Sequence, residues 1–399
     1  TVTYTFSTAS YDNANVGTSK TVTVNFTVSG ADKANYSCPT SKTTTGAITQ
    51  ANGSIVLNST ADMNLTYPSQ GTRTVSSSHG GSLSVSSSST SIATVSISGS
   101  TITVTAGTTS GTATITVKCA ATTNYKEAST TFKVVVTKGT FTISVVNGSG
   151  TYNGSEKTLQ VSSNLAGVKI VYGTSVSYGS TAVESATANT NYTIASATNA
   201  GSQTIYYKAT KAGYADVTGQ ATLKIDKATG TLTLSATSGS VAYGTASATF
   251  TASTSTNGAI SVSDDNATAT VAISGSTVTI SNISTLQAGT KVVVTVTAAA
   301  NTNYNAISKT YTLTIVQADN KPTVNMAGYT YGGTKSTPSL TGNNSTGTLT
   351  YYYNTTNSTT GGTAWSNVTS STSLNAGTYY MYATIAADNN YKAYTTATK

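Results

Sequence analysis

Apolar and polar residues alternate along most of this chain. From Gly111 to Cys119, Ala113, Ile115, Val117 and Cys119 fall on one side of an extended backbone, and Thr112, Thr114, Thr116 and Lys118 on the other. Val292, Val294, Val296 and Ala298 repeat the pattern, as do Tyr379, Met381, Ala383 and Ile385, and Val22, Val24, Phe26 and Val28. A period of two with one apolar face predicts strands lying against a core. Further alternating runs, "STTFKVVV" (129–136) and "KTYTLTIV" (309–316), follow short polar loops ending in Asn-Tyr, so each pair of runs predicts a hairpin. No stretch keeps helical spacing long enough to predict a helix.

The loops recur at a fixed interval. Tyr36, Tyr125, Tyr214, Tyr304 and Tyr391 are separated by 89, 89, 90 and 87 residues. A glycine precedes each one: Gly17, Gly111, Gly201, Gly289 and Gly377. A further tyrosine stands early in the interval, at Tyr67, Tyr152, Tyr243 and Tyr331. Three landmarks on one period predict a tandem array. The expected segments are 1–49, 50–137, 138–226, 227–317 and 318–399, each whole one with seven or eight short strands. The expected fold is all-β, a tandem array of Ig-like β-sandwich domains forming an elongated rod. Tyr36 comes too early for a whole first repeat, which is expected to lack its early strands. The chain stops eight residues after Tyr391, so the last strand is expected to be incomplete. The anchor tyrosine is expected to cap the open end of its sandwich and bond a backbone group through its hydroxyl. Its asparagine suits a turn, and the glycine a tight entry to the next strand. The junctions "VVVTKGTFTI", "LKIDKATGTLTL" and "LTIVQADNKPTV" are short, which predicts end-to-end neighbours with limited bending.

These residues resemble known repeats. "YDNANVGTSKTVTVNFTVSGADKANYS" (11–37) resembles the C-terminal half of YDG-type repeats of large bacterial secreted proteins, without the "YDG" half itself. "GTYNGSEKTLQV" with "NAGSQTIYYKATKAGY", and "AGYTYGGTKSTPSLTGNNSTGTLTYYYN" with "LNAGTYYMYATIAADNNY", resemble MBG repeats. The second and fourth segments, with "ATVSISGSTITV" and "ATVAISGSTVTI", resemble bacterial Ig-like (Big) domains. The resemblance implies extracellular stalks and adhesins at a bacterial cell surface, and leaves room for phage virion proteins.

Composition narrows the chemistry. Charged residues are 8% of the 399, and the 20 Lys and Arg that give net charge +8 are scattered singly. Phosphate backbones need clustered cations, so nucleic acid is not an expected partner. No run of 18 apolar residues offers a membrane span. Cys38 and Cys119 lie in different repeats and make no disulfide framework, and Cys119 occupies a core position. The single histidine, His79, sits in "SSSHGGS" and reads as a loop residue without catalytic partners. With three Glu in the chain, paired-carboxylate hydrolysis has few candidates. Asp264 and Asp265, beside Asn266, are the candidate Ca²⁺ ligands; Ca²⁺ takes six to eight oxygens, so a turn is the favoured reading there and around Asp388. No catalytic group and no cofactor are expected.

The remaining binding candidates are outward tyrosines in "LTYYYN" (349–354) and "TYYMYA" (378–383): Tyr351, Tyr353, Tyr380 and Tyr382. Flat aromatic faces suit sugars or a protein partner, although cross-strand pairing alone would also account for them. The sequence therefore predicts a non-enzymatic stalk or adhesin segment of an extracellular, cell-surface repeat protein, filament-like and spacing a distal binding part from the surface. The alternatives are a virion fibre or decoration protein, and a carbohydrate-binding region of a secreted enzyme. Its ligand is open, and lateral or end-to-end self-association is expected where low charge leaves sheet edges unprotected.

Overall fold

The computed structural model describes residues 1–399, which form strands, turns and two single-turn 3-10 segments. They divide into two compact units. One holds Thr1–Gly148, Thr158–Ser196 and Gln203–Leu223; the other holds Ser149–Lys157, Ala197–Ser202 and Lys224–Lys399. The division runs through the third repeat, whereas every hydrogen-bonded sheet lies inside one repeat.

The first repeat is a single three-stranded antiparallel sheet of β1 (Thr3–Tyr11), β2 (Gly17–Ser29) and β3 (Ser41–Ile48). Val22, Val24, Phe26 and Val28 share a face as their alternation predicts, yet that face meets no second sheet and none of the four is fully buried. An alternating strand thus marks which face wants a core without ensuring that a core is present.

The second repeat has both layers. Its strands are β4 (Ile55–Leu57), β5 (Met63–Thr66), β6 (Gln70–Ser77), β7 (Leu83–Ser87), β8 (Ala93–Ser98), β9 (Thr101–Ala106), β10 (Gly111–Cys119) and β11 (Ala128–Thr137). One sheet runs β4-β6-β9-β8 and the other β5-β11-β10-β7. β4 and β5 are halves of one edge strand that changes layer: β4 pairs antiparallel with β6, and β5 parallel with β11. This two-sheet order with a β10–β11 hairpin is Ig-like. Ile102 and Val104 from one layer meet Ile115, Val117 and Val134 from the other, all fully buried. Arg73 is also buried here, with its guanidinium 4.2 Å above the Phe132 ring. It donates to the carbonyls of Ser59 and Ala61, so its charge is solvated by the main chain between β4 and β5.

The fourth repeat repeats this order, Leu232–Leu234, Ser247–Thr254, Thr277–Ser281, Thr270–Ser274 in one sheet and Ser238–Ala242, Ile307–Val316, Lys291–Ala298, Ile260–Asp264 in the other. The third differs by one strand. Thr181–Ser185 pairs with Val168–Gly173 in the larger sheet, and Ile143–Asn147, Lys157–Ser163 and Tyr192–Ala197 make the smaller. The fifth is thinner than the near-whole sandwich its sequence predicts. Thr323–Asn325 and Ser339–Thr341 make a two-stranded layer against Thr363–Ala364, Leu349–Asn354, Tyr380–Ile385 and Tyr394–Thr395.

Ile115→Ala should destabilise the second repeat by about 2–5 kcal/mol, because it removes methylenes from a closed core. Thr116→Ala, one residue along on the outer face, should change it by less than about 0.5 kcal/mol. Denaturant unfolding of the two variants checks the difference.

Candidate functional site

The anchor residues come together at the poles of the sandwiches, where one repeat meets the next. Each Asn-Tyr loop is first fixed to its own repeat by a residue at the start of that repeat. Ala51, Gly139, Ala228 and Ala318 pair in parallel with Tyr125, Tyr214, Tyr304 and Tyr391. The amides of Ala51, Gly139, Ala228 and Ala318 donate to the carbonyls of Asn124, Gly213, Asn303 and Asn390 at 2.8–3.0 Å. The preceding side chain adds a second tie. Gln50 Nε2 donates to Thr122 O at 3.0 Å, Lys227 Nζ to Asn301 O at 2.6 Å, and Gln317 Nε2 to Asp388 O at 2.6 Å.

The clamped loop then holds the repeat before it. Asn124 Oδ1 accepts from the Val16 amide at 2.9 Å, Asn303 Oδ1 from the Ala200 amide at 2.8 Å, and Asn390 Oδ1 from the Ala288 amide at 3.1 Å. Those amides stand one residue before Gly17, Gly201 and Gly289. Asn124 and Asn303 also donate through Nδ2 to Asn15 and Asn199 at 3.0 and 3.1 Å. Gly289 takes φ +94°, a conformation that favours glycine.

The tyrosine rings complete the joint. Tyr67 meets Tyr214 with centroids 5.2 Å apart and planes at 89°, Tyr152 meets Tyr304 at 5.4 Å and 79°, and Tyr243 meets Tyr391 at 5.6 Å and 80°. Edge-to-face geometry suits the ring quadrupoles. The early tyrosine of each pair is set by its own strand end: the amides of Tyr67, Tyr152 and Tyr243 donate to Thr137, Asp226 and Val316 carbonyls at 2.8–3.0 Å. The expected role of the anchor tyrosines is therefore corrected. Tyr214, Tyr304 and Tyr391 cap across a joint, against the preceding repeat, and their main chain rather than their hydroxyl makes the backbone bonds. Tyr36, with no repeat before it here, is 66% exposed. Gly377 lies beside the Tyr379 ring, and Gly111 takes φ +152°.

His79 is also more than a loop residue. It stacks under Tyr125 at 5.4 Å with planes 27° apart, and its Nε2 is buried without a hydrogen-bond partner. Sequence spacing could not find this contact, because it occurs once.

The acidic candidates serve turns. Asp264 Oδ1 accepts from the Asn266 amide at 3.0 Å, and Asp265 Oδ1 from the Val293 amide at 2.8 Å. No three His, Cys, Asp or Glu side chains cluster as a metal site. Cys38 and Cys119 are free thiols, and Cys119 is fully buried.

The tyrosine-rich strands do not build an open aromatic platform. Tyr351 and Tyr353 pack on the core of the fifth repeat, Tyr353 with its ring 6.0 Å from Trp365. Tyr382 is buried, stacked on Tyr352 at 5.2 Å, and its hydroxyl accepts from the Gly362 amide at 3.1 Å. Tyr380 remains half-exposed. A cavity of ≈ 660 Å³ lies between Met326–Tyr331 and Thr378–Met381. The hydroxyl of Tyr329, one of its lining residues, is buried without a hydrogen-bond partner.

Similarity to known proteins is found at one end of the chain and among solved structures of low identity. Residues 1–46 match the YDG domain family. Comparison with curated proteins yields no match. Among solved structures, the I67–I69 fragment from titin matches at 9% identity over 65% of this chain and 98% of its own, with TM-score 0.27. Protocadherin gammaB7 EC3-6 matches at 11% identity over 86% and 98%, with TM-score 0.33. Domains 4–9 of the surface layer protein SbsC match at 14% identity over 96% and 69%, with TM-score 0.19. No helix is long and apolar enough to cross a membrane.

The last joint generates a pH prediction. Asp388 Oδ1 accepts from the Asn390 and Tyr391 amides at 2.8 and 2.7 Å, and Oδ2 from the Thr346 amide at 2.7 Å and the Ser345 hydroxyl at 2.8 Å. Burial pushes this carboxyl up, but these donors pull it down by more, to well below the usual carboxylate range. A depressed folded value stabilises above the unfolded pKa of about 4 and loses that stability as pH falls through the folded value. Trp365, the only tryptophan, reports on this repeat. Its thermal transition should lie higher in the native protein than in Asp388→Asn at neutral pH. The gap should narrow progressively as pH falls below about 4.

Proposed function

We propose that this chain is a non-enzymatic spacer segment of an extracellular, bacterial cell-surface repeat protein, a stalk that carries a distal binding part away from the surface. The observation behind this reading is the recurring joint. Polar and aromatic side chains that could have formed a ligand site are instead spent on fastening successive repeats, at Asn124, Asn303 and Asn390 and in three tyrosine pairs. The resemblance to YDG, MBG and Big repeats, with a YDG match at residues 1–46, supports the surface setting.

A spacer works by length. Sandwiches with strands of about 7–10 residues at about 3.3 Å each are about 30–40 Å long with their turns. Five segments joined end to end would reach on the order of 150 Å. Small-angle scattering from a dilute solution should give a maximum dimension near this value and a rod-like cross-section. A compact particle would contradict the spacer reading.

A further inference from the structure

The ring pairs that fasten the joints are all Tyr–Tyr, although their contact does not call for a phenol. Tyr67–Tyr214, Tyr152–Tyr304 and Tyr243–Tyr391 meet edge to face with centroids 5.2, 5.4 and 5.6 Å apart. Phenylalanine gives the same geometry, as Phe141 does against Tyr214 at 6.0 Å. A ring carbon lies about 1.4 Å from its centroid, so the facing edge carbons sit about 4 Å from the partner ring, in van der Waals contact. All six rings are half-buried, which leaves them within reach of a small diffusible oxidant. The parallel bridge under each later tyrosine and the strand-end bond of each earlier one keep both partners in place.

We propose that these pairs are modification sites, at which one-electron oxidation joins successive repeats through a carbon–carbon bond between two tyrosine rings. Each phenol gives up one electron and its hydroxyl proton, leaving a phenoxyl radical with unpaired density on the carbons ortho to the oxygen. One ortho carbon of each ring then bonds to the other. Each loses its hydrogen as a proton while its ring becomes aromatic again, and each oxygen takes one proton back. The pair loses two electrons and two protons in all. Hydrogen peroxide with a haem peroxidase is the class of co-reactant required; one peroxide takes up both electrons and both protons and leaves as two waters. Two phenols already held in contact couple within the chain more readily than between chains. The product is a covalent tie across a joint that otherwise rests on weak contacts. The joint ahead of the second repeat has no such pair, because Tyr125 stacks on His79, and it serves as the internal comparison.

The test is brief oxidation of the full chain with photochemically generated ruthenium(III) tris-bipyridyl, then tryptic digestion and mass spectrometry of the monomeric product. A concentration of about 1 µM keeps coupling between chains slow relative to coupling within one. Tyr67 and Tyr214 are the only tyrosines of tryptic peptides 43–73 and 212–224, and Tyr152 and Tyr304 of peptides 139–157 and 292–309. Both peptide pairs should be recovered joined, each with the loss of two hydrogens. Peptide 119–126, which carries Tyr125, should stay single. Tyr214→Phe keeps the ring contact but gives no phenoxyl radical, so it should abolish the first linked pair and leave the second unchanged. Oxidised monomer in which neither pair is linked would overturn the proposal. So would linkage that falls on the exposed Tyr36 and Tyr331 in preference to the joints.

Discussion

The Asn-Tyr loop faces two ways, and the arrangement of repeats depends on that. Its backbone is pinned to its own repeat by a parallel bridge to the first residue after the junction. Its side chains reach the repeat before. An isolated asparagine–amide bond is worth about 1 kcal/mol net, and a ring pair a similar amount. Neither would hold two domains in one orientation if the loop carrying them could move. The bridge removes that freedom beforehand, so little conformational entropy remains to be lost when the side chains engage.

Three kinds of joint result. Those ahead of the fourth and fifth repeats use both the asparagine and the tyrosine pair. Ahead of the third repeat, Gly213 replaces the asparagine at φ +83°, and a Cβ there would lie 2.5 Å from the Tyr67 ring. This joint relies on rings, with Phe141 6.0 Å from Tyr214 as a third. Ahead of the second repeat the asparagine bonds alone cross the joint, and Tyr125 stacks on His79 of its own repeat. The landmark residues vary because ring packing and side-chain bonding can each supply what the other lacks.

The fold class was legible because the apolar period is local: Ala113, Ile115, Val117 and Cys119 announce their shared face within nine residues. The landmark period also showed where the special residues stand. It could not show which partners they meet, because Tyr67 and Tyr214 are 147 positions apart and belong to successive repeats. For the outward tyrosines the sequence left a binding surface and cross-strand pairing both open, and Tyr382 is a cross-strand pair with Tyr352. Strand alternation alone could not show that Tyr382 is covered by Tyr352 and bonded to Gly362. His79 carried no signal, since a single contact has no period.

The central claim is that these joints fix the relative orientation of neighbouring repeats. Pulsed electron spin resonance across the joint between the fourth and fifth repeats tests it most directly. Spin labels would be placed at Ser274→Cys and Thr355→Cys, with Cys38 and Cys119 changed to serine. One narrow distance distribution is predicted, broadening when Asn390 and Tyr391 are both replaced by alanine. A distribution that is broad from the start, or one that the two replacements leave narrow, would contradict the claim.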